Sequence, residues 1–398
     1  MFCLHWFGFP SNQDSIKSRD VSIMDMPDLV MRKIMENVDF IIILKLRKVC
    51  HALRNFIDDT TQDYGLTHIQ FSVYPSMISV EMRASWGLIG LHYVRYGGES
   101  CLRHVTTDCT NKTNLMKGED FVEAFFDEIG VILKIHKAPL EDLSIHACNS
   151  NDFRKISFDK NLMRKWQNTN WIFGWCSRQH DYNIEKHLSK MNKDFLLKPT
   201  ADKFYDGLEK ILGSRDSQMR VKCMAAQVII PQYFLKIAPF IDMKQIKYLE
   251  LMNESDVANK KLKFDGIVEL ENWECIQDLR IKGFGITVPL EKFLHKSSLK
   301  ISIPTISMVD VLLIQTNFLN SPSFFEEYTI YYEHLTTDME EMYSILGYFT
   351  DAYDEKCWGY AIPETDKILE IRHSSSHRYF TFTWDEEEPF SRSEDIDF

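Results

Sequence analysis

A six-residue pattern that is apolar at its first, fourth and sixth positions recurs along this chain and most constrains its fold. Copies begin at residues 140, 221, 246, 276, 296 and 325, and the last five lie 25, 30, 20 and 29 residues apart. This spacing overlaps the period of leucine-rich repeats, roughly 20 to 29 residues. Helical patterns lie between the copies, so each copy predicts a strand–helix unit that stacks on its neighbours to bury its apolar face. A single α/β or α+β domain whose strands share the pattern is the alternative.

Other local patterns predict the elements around these copies. Alternating apolar residues in 66–105 predict hairpins, and an apolar face in 119–133 predicts a helix. Ser307 and Asp310 are placed as the N-cap and the first-turn acid of a further helix. In the copy that begins at 296, the first position is Lys296 instead of an apolar residue.

Near the start of the chain, two short amphipathic helices follow one another. Pro27 suits the first turn of a helix, and Val30, Ile34 and Val38 recur at intervals of four. The next segment places a second apolar set on one helix face: Ile43, Leu46, Cys50, Leu53 and Ile57. About forty residues cannot bury this much apolar surface alone, so the segment is predicted to dock on a partner.

The charge of this segment favours an acidic protein as its partner. Residues 26–56 carry six Lys or Arg and three Asp or Glu, whereas the whole chain has a net charge of −12. Complementary charge steers association at a distance. A solvated helix face with no partner is the alternative interpretation.

The same segment, residues 22–62, resembles an F-box, the helical motif that binds the Skp-type adaptor of a cullin-based ubiquitin ligase. Met26-Pro27 stands where the family has Leu-Pro, and the amino-acid sequence of residues 46–59 is similar to that of the nematode F-box A family. We predict adaptor contact for six residues: Pro27, Val30, Ile34, Leu46, Val49 and Leu53. The alternative for each is a place in the core of the three-helix module itself.

The C-terminal half resembles the FTH domain, which follows the F-box in the same family. Residues 204–251 are similar to its start, and further similarities lie at 270–273, 306–310 and 317–321. Residues 358–363 and the alternating segment 368–384 resemble its closing hairpin. The two resemblances occur in the order that this family has.

These observations together predict the fold class and the domains. The fold is α/β: a small all-α three-helix F-box is followed by a leucine-rich-repeat-like strand–helix region that ends in a β-hairpin cap. The predicted segments are a disordered leader at 1–21, the F-box at 22–62, a linking repeat-like α/β region at 63–200, the FTH domain at 201–385 and an acidic tail at 386–398.

Composition excludes several functional classes. The net charge of −12 argues against nucleic acid as a direct partner. No apolar run reaches the length of about 18 residues that spans a bilayer. Nine cysteines scattered through a chain of 398 residues do not form a disulfide framework, so cytoplasm, nucleus or both are the expected location.

No catalytic residue, metal site or cofactor is predicted. The chain has no Cys-x-x-Cys pair, and Gly283 and Gly285 form a lone Gly-x-Gly without a third glycine. His373 and His377 are among the nearest approaches to a ligand pair, but they lie in a serine-rich turn. An enzyme would require Cys, His and Asp side chains that cluster in the folded chain.

The expected function is therefore that of a non-catalytic adaptor. The F-box would dock a Skp-type adaptor and cullin, and the C-terminal domain would bind a protein substrate for ubiquitin transfer by other subunits. The alternative is a non-degradative interaction module that bridges partners such as an RNA-binding regulator.

Overall fold

The computed structural model divides into two compact units after residue 62. The residues it describes are 23–36, 38, 40–47, 49–59, 65–84, 87–96, 100–107, 111–147, 197–253, 262–321, 324–352, 354–362 and 367–386. The predicted leader, and the predicted tail beyond residue 386, lie outside these ranges. The predicted division at residue 200 falls inside a helix, and residues 63 onward form one compact unit.

The described residues of the first unit form three α-helices, α1 (Asp28–Glu36), α2 (Phe40–Leu46) and α3 (His51–Asp59). The carbonyl of Pro27 accepts the first two backbone hydrogen bonds of α1, from Val30 at 2.9 Å and Met31 at 3.1 Å. The amide of Leu53 in α3 donates to the sulfur of Cys50 at 3.4 Å, which satisfies an N–H at the start of this helix. The predicted position of Pro27 at a helix start is thus confirmed.

The strands of the second unit build one large sheet from the described residues. Their order is β14-β15-β16-β17-β13-β12-β10-β8-β7-β6-β1-β2-β3-β4-β5, and β9 and β11 form a separate pair. The bounds are β1 Leu66–Tyr74, β2 Met77–Ala84, β3 Gly87–Tyr96, β4 Ser100–Thr107, β5 Asn111–Lys117, β6 Leu140–Ala147, β7 Val221–Gln227, β8 Tyr248–Met252, β9 Leu262–Lys263, β10 Asp278–Lys282, β11 Phe284–Gly285, β12 Ser298–Ile306, β13 Glu327–Leu335, β14 Thr350–Ala352, β15 Glu355–Ala361, β16 Lys367–Ser374 and β17 Tyr379–Glu386.

The six copies of the sequence pattern become six neighbouring parallel strands: β6, β7, β8, β10, β12 and β13. Their fourth positions align in register across the sheet, in the order Leu143, Met224, Leu249, Leu279, Leu299 and Tyr328. All six side chains are buried. The predicted strands are therefore confirmed, and the pattern encodes one apolar row that runs across the middle of the sheet.

Antiparallel strands extend this parallel centre on both sides. β1 is parallel to β6 but antiparallel to β2, and β2 to β5 continue as a meander. At the other end β13 pairs with β17, and β17, β16, β15 and β14 follow as antiparallel neighbours. The hairpins predicted in 66–105 and near the C-terminus are present.

Helices pack on the face of the sheet that carries the apolar rows. They are α4 (Phe121–Ile135), α5 (Leu197–Gly213), α6 (Pro231–Ile237), α7 (Met308–Asn320) and α8 (Met339–Leu346). Phe71 of β1 contacts Phe125 of α4 and Phe204 of α5, with ring centroids 6.2 and 5.7 Å apart. Phe318 of α7 packs edge-on against Tyr328 of β13 at 5.2 Å. Burial of these aromatic side chains supplies much of the apolar contact between helices and sheet.

The predicted cap of α7 is also confirmed. Ser307 accepts from the backbone N–H of Asp310 at 3.3 Å, and the Asp310 carboxylate accepts from the backbone N–H of Ser307 at 2.7 Å. This reciprocal capping box satisfies two backbone donors that the helix start leaves unpaired.

Lys296, the one departure from the repeat pattern, is fully buried at the position of the missing apolar residue. Its ammonium donates to the carbonyl of Trp273 at 2.7 Å and lies 4.1 Å from the centre of the Trp273 ring. Burial lowers the pKa of Lys296 from its usual 10.5 to about 7, because removal from water penalises the charged form.

The Lys296 pKa makes a prediction about stability. Between pH 7 and 10.5 the unfolded chain holds a proton that the folded lysine releases, so stability from this group rises with pH in that window. From pH 7 to pH 9 the wild type should gain about 2 kcal/mol relative to Lys296→Met, measured by urea unfolding. Lys300→Met, on the strand β12 that begins two residues after Lys296, is the control and should follow the wild type. Parallel profiles for wild type and Lys296→Met would contradict the assignment.

Candidate functional site

The helical unit exposes an unusual amount of apolar side-chain surface. Among its described residues, six large apolar ones are exposed: Ile23, Met26, Leu29, Val30, Ile42 and Val49. Leu29 is 79% exposed and Val49 is 70% exposed. Exposed apolar patches mark protein-interaction sites in soluble proteins.

The buried side chains described for this unit are a different set. They are Met31, Met35, Ile43, Leu53 and Ile57, each at most 2% exposed. Met31 and Met35 lie four residues apart on α1, so their side chains stack on one helix face. That face points inward and leaves Leu29 and Val30 at the surface.

The six predicted adaptor-contact residues fall into three groups in this arrangement. Pro27, Val30 and Val49 are exposed. Ile34 and Leu46 are half-buried. Leu53 is in the core, which is the alternative that the sequence left open.

Leu29 and Met26 are also exposed, although the sequence did not predict them as adaptor-contact residues. On α1 two apolar sets recur at intervals of four, Val30 with Ile34 and Met31 with Met35. Both satisfy the helical period equally, so periodicity alone gives no signal for the set that faces inward.

Basic side chains accompany the exposed apolar surface. Arg32, Lys33, Lys45 and Arg54 are exposed on the three helices. The predicted basic character of the segment is therefore present at the surface of the unit, where it can attract an acidic partner.

His373, considered above as a metal ligand, is enclosed in an aromatic cluster of the second unit. Its ring nitrogens lie 2.7 Å from the Tyr332 hydroxyl and 3.2 Å from the Tyr343 hydroxyl, and its ring stacks on Phe380 at 4.3 Å. Burial, with a smaller contribution from the charge of Lys356, lowers the pKa of His373 to about 4. The imidazole is neutral at physiological pH and its nitrogens are engaged, so its role is structural.

This burial predicts sensitivity to mild acid. Between pH 6.5 and 4 the unfolded chain binds a proton that folded His373 does not, so stability falls as pH falls through that window. From pH 7.5 to pH 5 the wild type should lose about 2 kcal/mol more than His373→Gln, measured by urea unfolding at each pH. Equal losses in the two proteins would show that His373 is not held neutral by the fold.

The sheet does bring a cysteine, an aspartate and a histidine together. His68, Asp142 and Cys223 are register partners on the adjacent strands β1, β6 and β7, on the face opposite the apolar row. Asp142 lies in the middle, so Cys223 and His68 are two strand spacings apart, roughly 9 to 10 Å. Burial and the carboxylates of Asp142 and Glu141 raise the pKa of the Cys223 thiol to about 11.

This arrangement cannot activate a nucleophile. A catalytic cysteine needs a base within hydrogen-bond reach and a lowered pKa, and Cys223 has neither. Among the described residues, no group of three or more His, Cys, Asp or Glu could hold a metal ion.

Charged side chains near the centre of the same face are paired with one another. Glu250 accepts a hydrogen bond from Tyr248 at 2.8 Å and forms an ion pair with Lys282, whose ammonium lies 2.7 Å from the carboxylate. Arg280 lies 3.3 Å from Asp278 and 5.3 Å from the centre of the Tyr248 ring. The charge of the buried Glu250 carboxylate is thus paired from within the sheet, as a buried charge requires.

Comparison with known proteins identifies both parts of the chain. The F-box domain matches residues 23–61, and the FTH domain matches residues 202–349. F-box A protein 224 of Caenorhabditis elegans is 24% identical over 107 residues, which are 27% of this chain and 27% of that relative. The match thus spans about a quarter of the length of that protein. No solved structure matches.

The chain is an F-box protein in which an FTH domain follows the F-box. The predicted resemblance is confirmed: an F-box and an FTH domain occur in the predicted order, and the chain is similar to an F-box A protein. F-box proteins are in general non-catalytic adaptors of Skp–cullin ubiquitin ligases, and no enzymatic family is indicated. Among the described residues, no helix is long and apolar enough to span a membrane.

Proposed function

We propose that this chain is the substrate-recognition subunit of a cullin-based ubiquitin ligase. Its F-box docks a Skp-type adaptor, and its second unit binds a protein substrate. The observation that carries the proposal is the exposed apolar surface of the helical unit, in a segment that matches the F-box. Binding of an adaptor would remove that surface from water, which stabilises the complex.

The chain acts by proximity in this proposal. A substrate held on the second unit stays close to the conjugating enzyme that other subunits recruit, so its effective concentration rises without any bond being made or broken by this chain. The raised pKa of the Cys223 thiol and its separation from His68 are consistent with a role that needs no nucleophile.

The exposure pattern refines the proposed adaptor contact. We assign the contact to Pro27, Val30 and Val49, with Ile34 and Leu46 at its border. Leu53 supports this surface from the core. Leu29 joins the contact set because of its 79% exposure.

Other parts of the proposal follow from the same assignment. The partners are a Skp-type adaptor, a cullin and a protein substrate, and the location is the cytoplasm, the nucleus or both. The parallel strands with intervening helices support a leucine-rich-repeat-like arrangement. No observation on the described residues favours the bridging alternative.

Val49→Asp tests the adaptor contact. Val49 is 70% exposed, so the change leaves the core of the unit intact, but it places an unpaired carboxylate in the proposed interface. Binding to a Skp-type adaptor should weaken by about 100-fold or more, measured by calorimetry on the full chain.

Leu115→Asp is the matched control, because Leu115 is an exposed leucine of the second unit. It should bind the adaptor as the wild type does, and circular dichroism should show that both variants keep their helices. Adaptor binding of Val49→Asp at wild-type strength would remove the docking proposal.

A further inference from the structure

Large exposed apolar side chains of the described residues concentrate in two places. Six lie on the helical unit, and four lie on α7 and at the end of α8: Val309, Leu312, Ile345 and Tyr348. Tyr348 is 90% exposed and Val309 is 75% exposed. The other three, Tyr96, Leu115 and Phe324, are separate in the sequence. The first group is assigned to the adaptor above, and the second has no assigned partner.

Hydrogen bonds at both ends hold α7 and α8 side by side. The backbone N–H of Met308, at the start of α7, donates to the hydroxyl of Thr337, next to the start of α8. Towards the other end, the Tyr360 hydroxyl donates to the carbonyl of Leu346 at 2.7 Å and is hydrogen-bonded by Gln315 of α7. The helices therefore run in the same direction as neighbours in one layer.

Each of these helices buries one side and exposes an apolar stripe on the other. On α7 the exposed positions Val309, Leu312 and Thr316 follow at intervals of three and four. On α8, Glu341 and Ile345 are exposed four residues apart, and Tyr348 is exposed just after the helix ends at Gly347. The exposed apolar side chains of the two neighbouring helices define one candidate surface.

Acidic side chains predominate in the segments that form this surface. Residues 301–355 contain ten Asp or Glu and no Lys or Arg, and Lys356, which follows them, lies over the ring of Tyr343 on α8 at 4.9 Å. Glu340 and Glu341 are exposed in the first turn of α8, where Asp338 caps the helix. An apolar surface with an acidic border is complementary to an apolar surface with a basic border.

We propose that this surface, the α7–α8 surface defined by Val309, Leu312, Ile345 and Tyr348, is where the substrate docks. Its occupant is a basic amphipathic helix of the substrate protein. The apolar face of that helix lies against the four residues, and its Lys or Arg side chains meet Glu340 and Glu341. Tyr348 and Ile345 are the anchors, since aromatic side chains contribute strongly to interface energies. The inference rests on the proposed substrate-binding role and names the class of substrate.

The test uses the full chain bound to its Skp-type adaptor and a synthetic probe. The probe is a Leu–Lys amphipathic peptide of about 18 residues, or five helical turns. One control peptide has the same composition in an order that breaks the apolar face, and another replaces Lys by Glu. The ordered Leu–Lys peptide should bind more tightly than both controls, measured by fluorescence anisotropy.

A matched pair of variants locates the apolar contact. Ile345 is 49% exposed and Leu115 is 47% exposed, so Ile345→Asp and Leu115→Asp make similar surface changes in two places. Ile345→Asp should weaken peptide binding by about tenfold or more, although its added negative charge favours a basic peptide. Leu115→Asp should bind as the wild type does. Equal affinity of the two variants would overturn the proposal.

A second matched pair tests the acidic border. Glu341 and Glu123 are both the third residue of a helix with an aspartate N-cap, on α8 and α4 respectively. Glu341→Lys should weaken binding by about fivefold at low salt, and the effect should shrink as salt is added. Glu123→Lys, with the same effect on its helix, should bind as the wild type does. Equal weakening by both variants would also overturn the proposal.

Two further outcomes separate this inference from the function proposed above. Val49→Asp should lose the adaptor and keep the peptide, whereas Ile345→Asp should lose the peptide and keep the adaptor. A wild-type chain that binds the peptide but does not bind the adaptor would count against the ligase role alone. Self-association that Ile345→Asp abolishes, together with no peptide binding, would show that a second copy of the chain occupies the α7–α8 surface and would overturn the proposal.

Discussion

The second unit depends on the requirement that several strand–helix segments bury their apolar rows on one common face. The residues from Leu143 to Tyr328 that occupy the fourth position of each sequence copy align across six strands, and helices cover that row. Because one face is used for the core, polar side chains are sorted to the other face. The pairing of Glu250 with Lys282 is one result of this sorting.

The sequence was sufficient to predict the strands and much of the helical layer, because these elements follow from local periods. The capping box of Ser307 and Asp310 was equally visible, since it needs two residues three positions apart. Register between distant segments was not predictable. His68, Asp142 and Cys223 become neighbours only through the alignment of three strands that the chain order separates widely.

The candidate sites show where local patterns stop being informative. The two apolar sets of α1 have the same spacing, so the burial of Met31 and Met35 depends on packing beyond the helix itself. Lys296 appeared to break the repeat, yet the fold buries it because Trp273 supplies both a carbonyl and an aromatic face. Polar groups at core positions require partners from elsewhere in the chain, and a single sequence does not name them.

The exposed apolar surface of the helical unit also has a consequence for the life of the protein in the cell. A copy whose helical unit is not covered by a partner presents side chains such as Leu29 directly to water. Cells continuously triage incompletely folded proteins by chaperones and proteases. Under the proposed docking, the abundance of this chain would therefore depend on the supply of the adaptor that covers this surface.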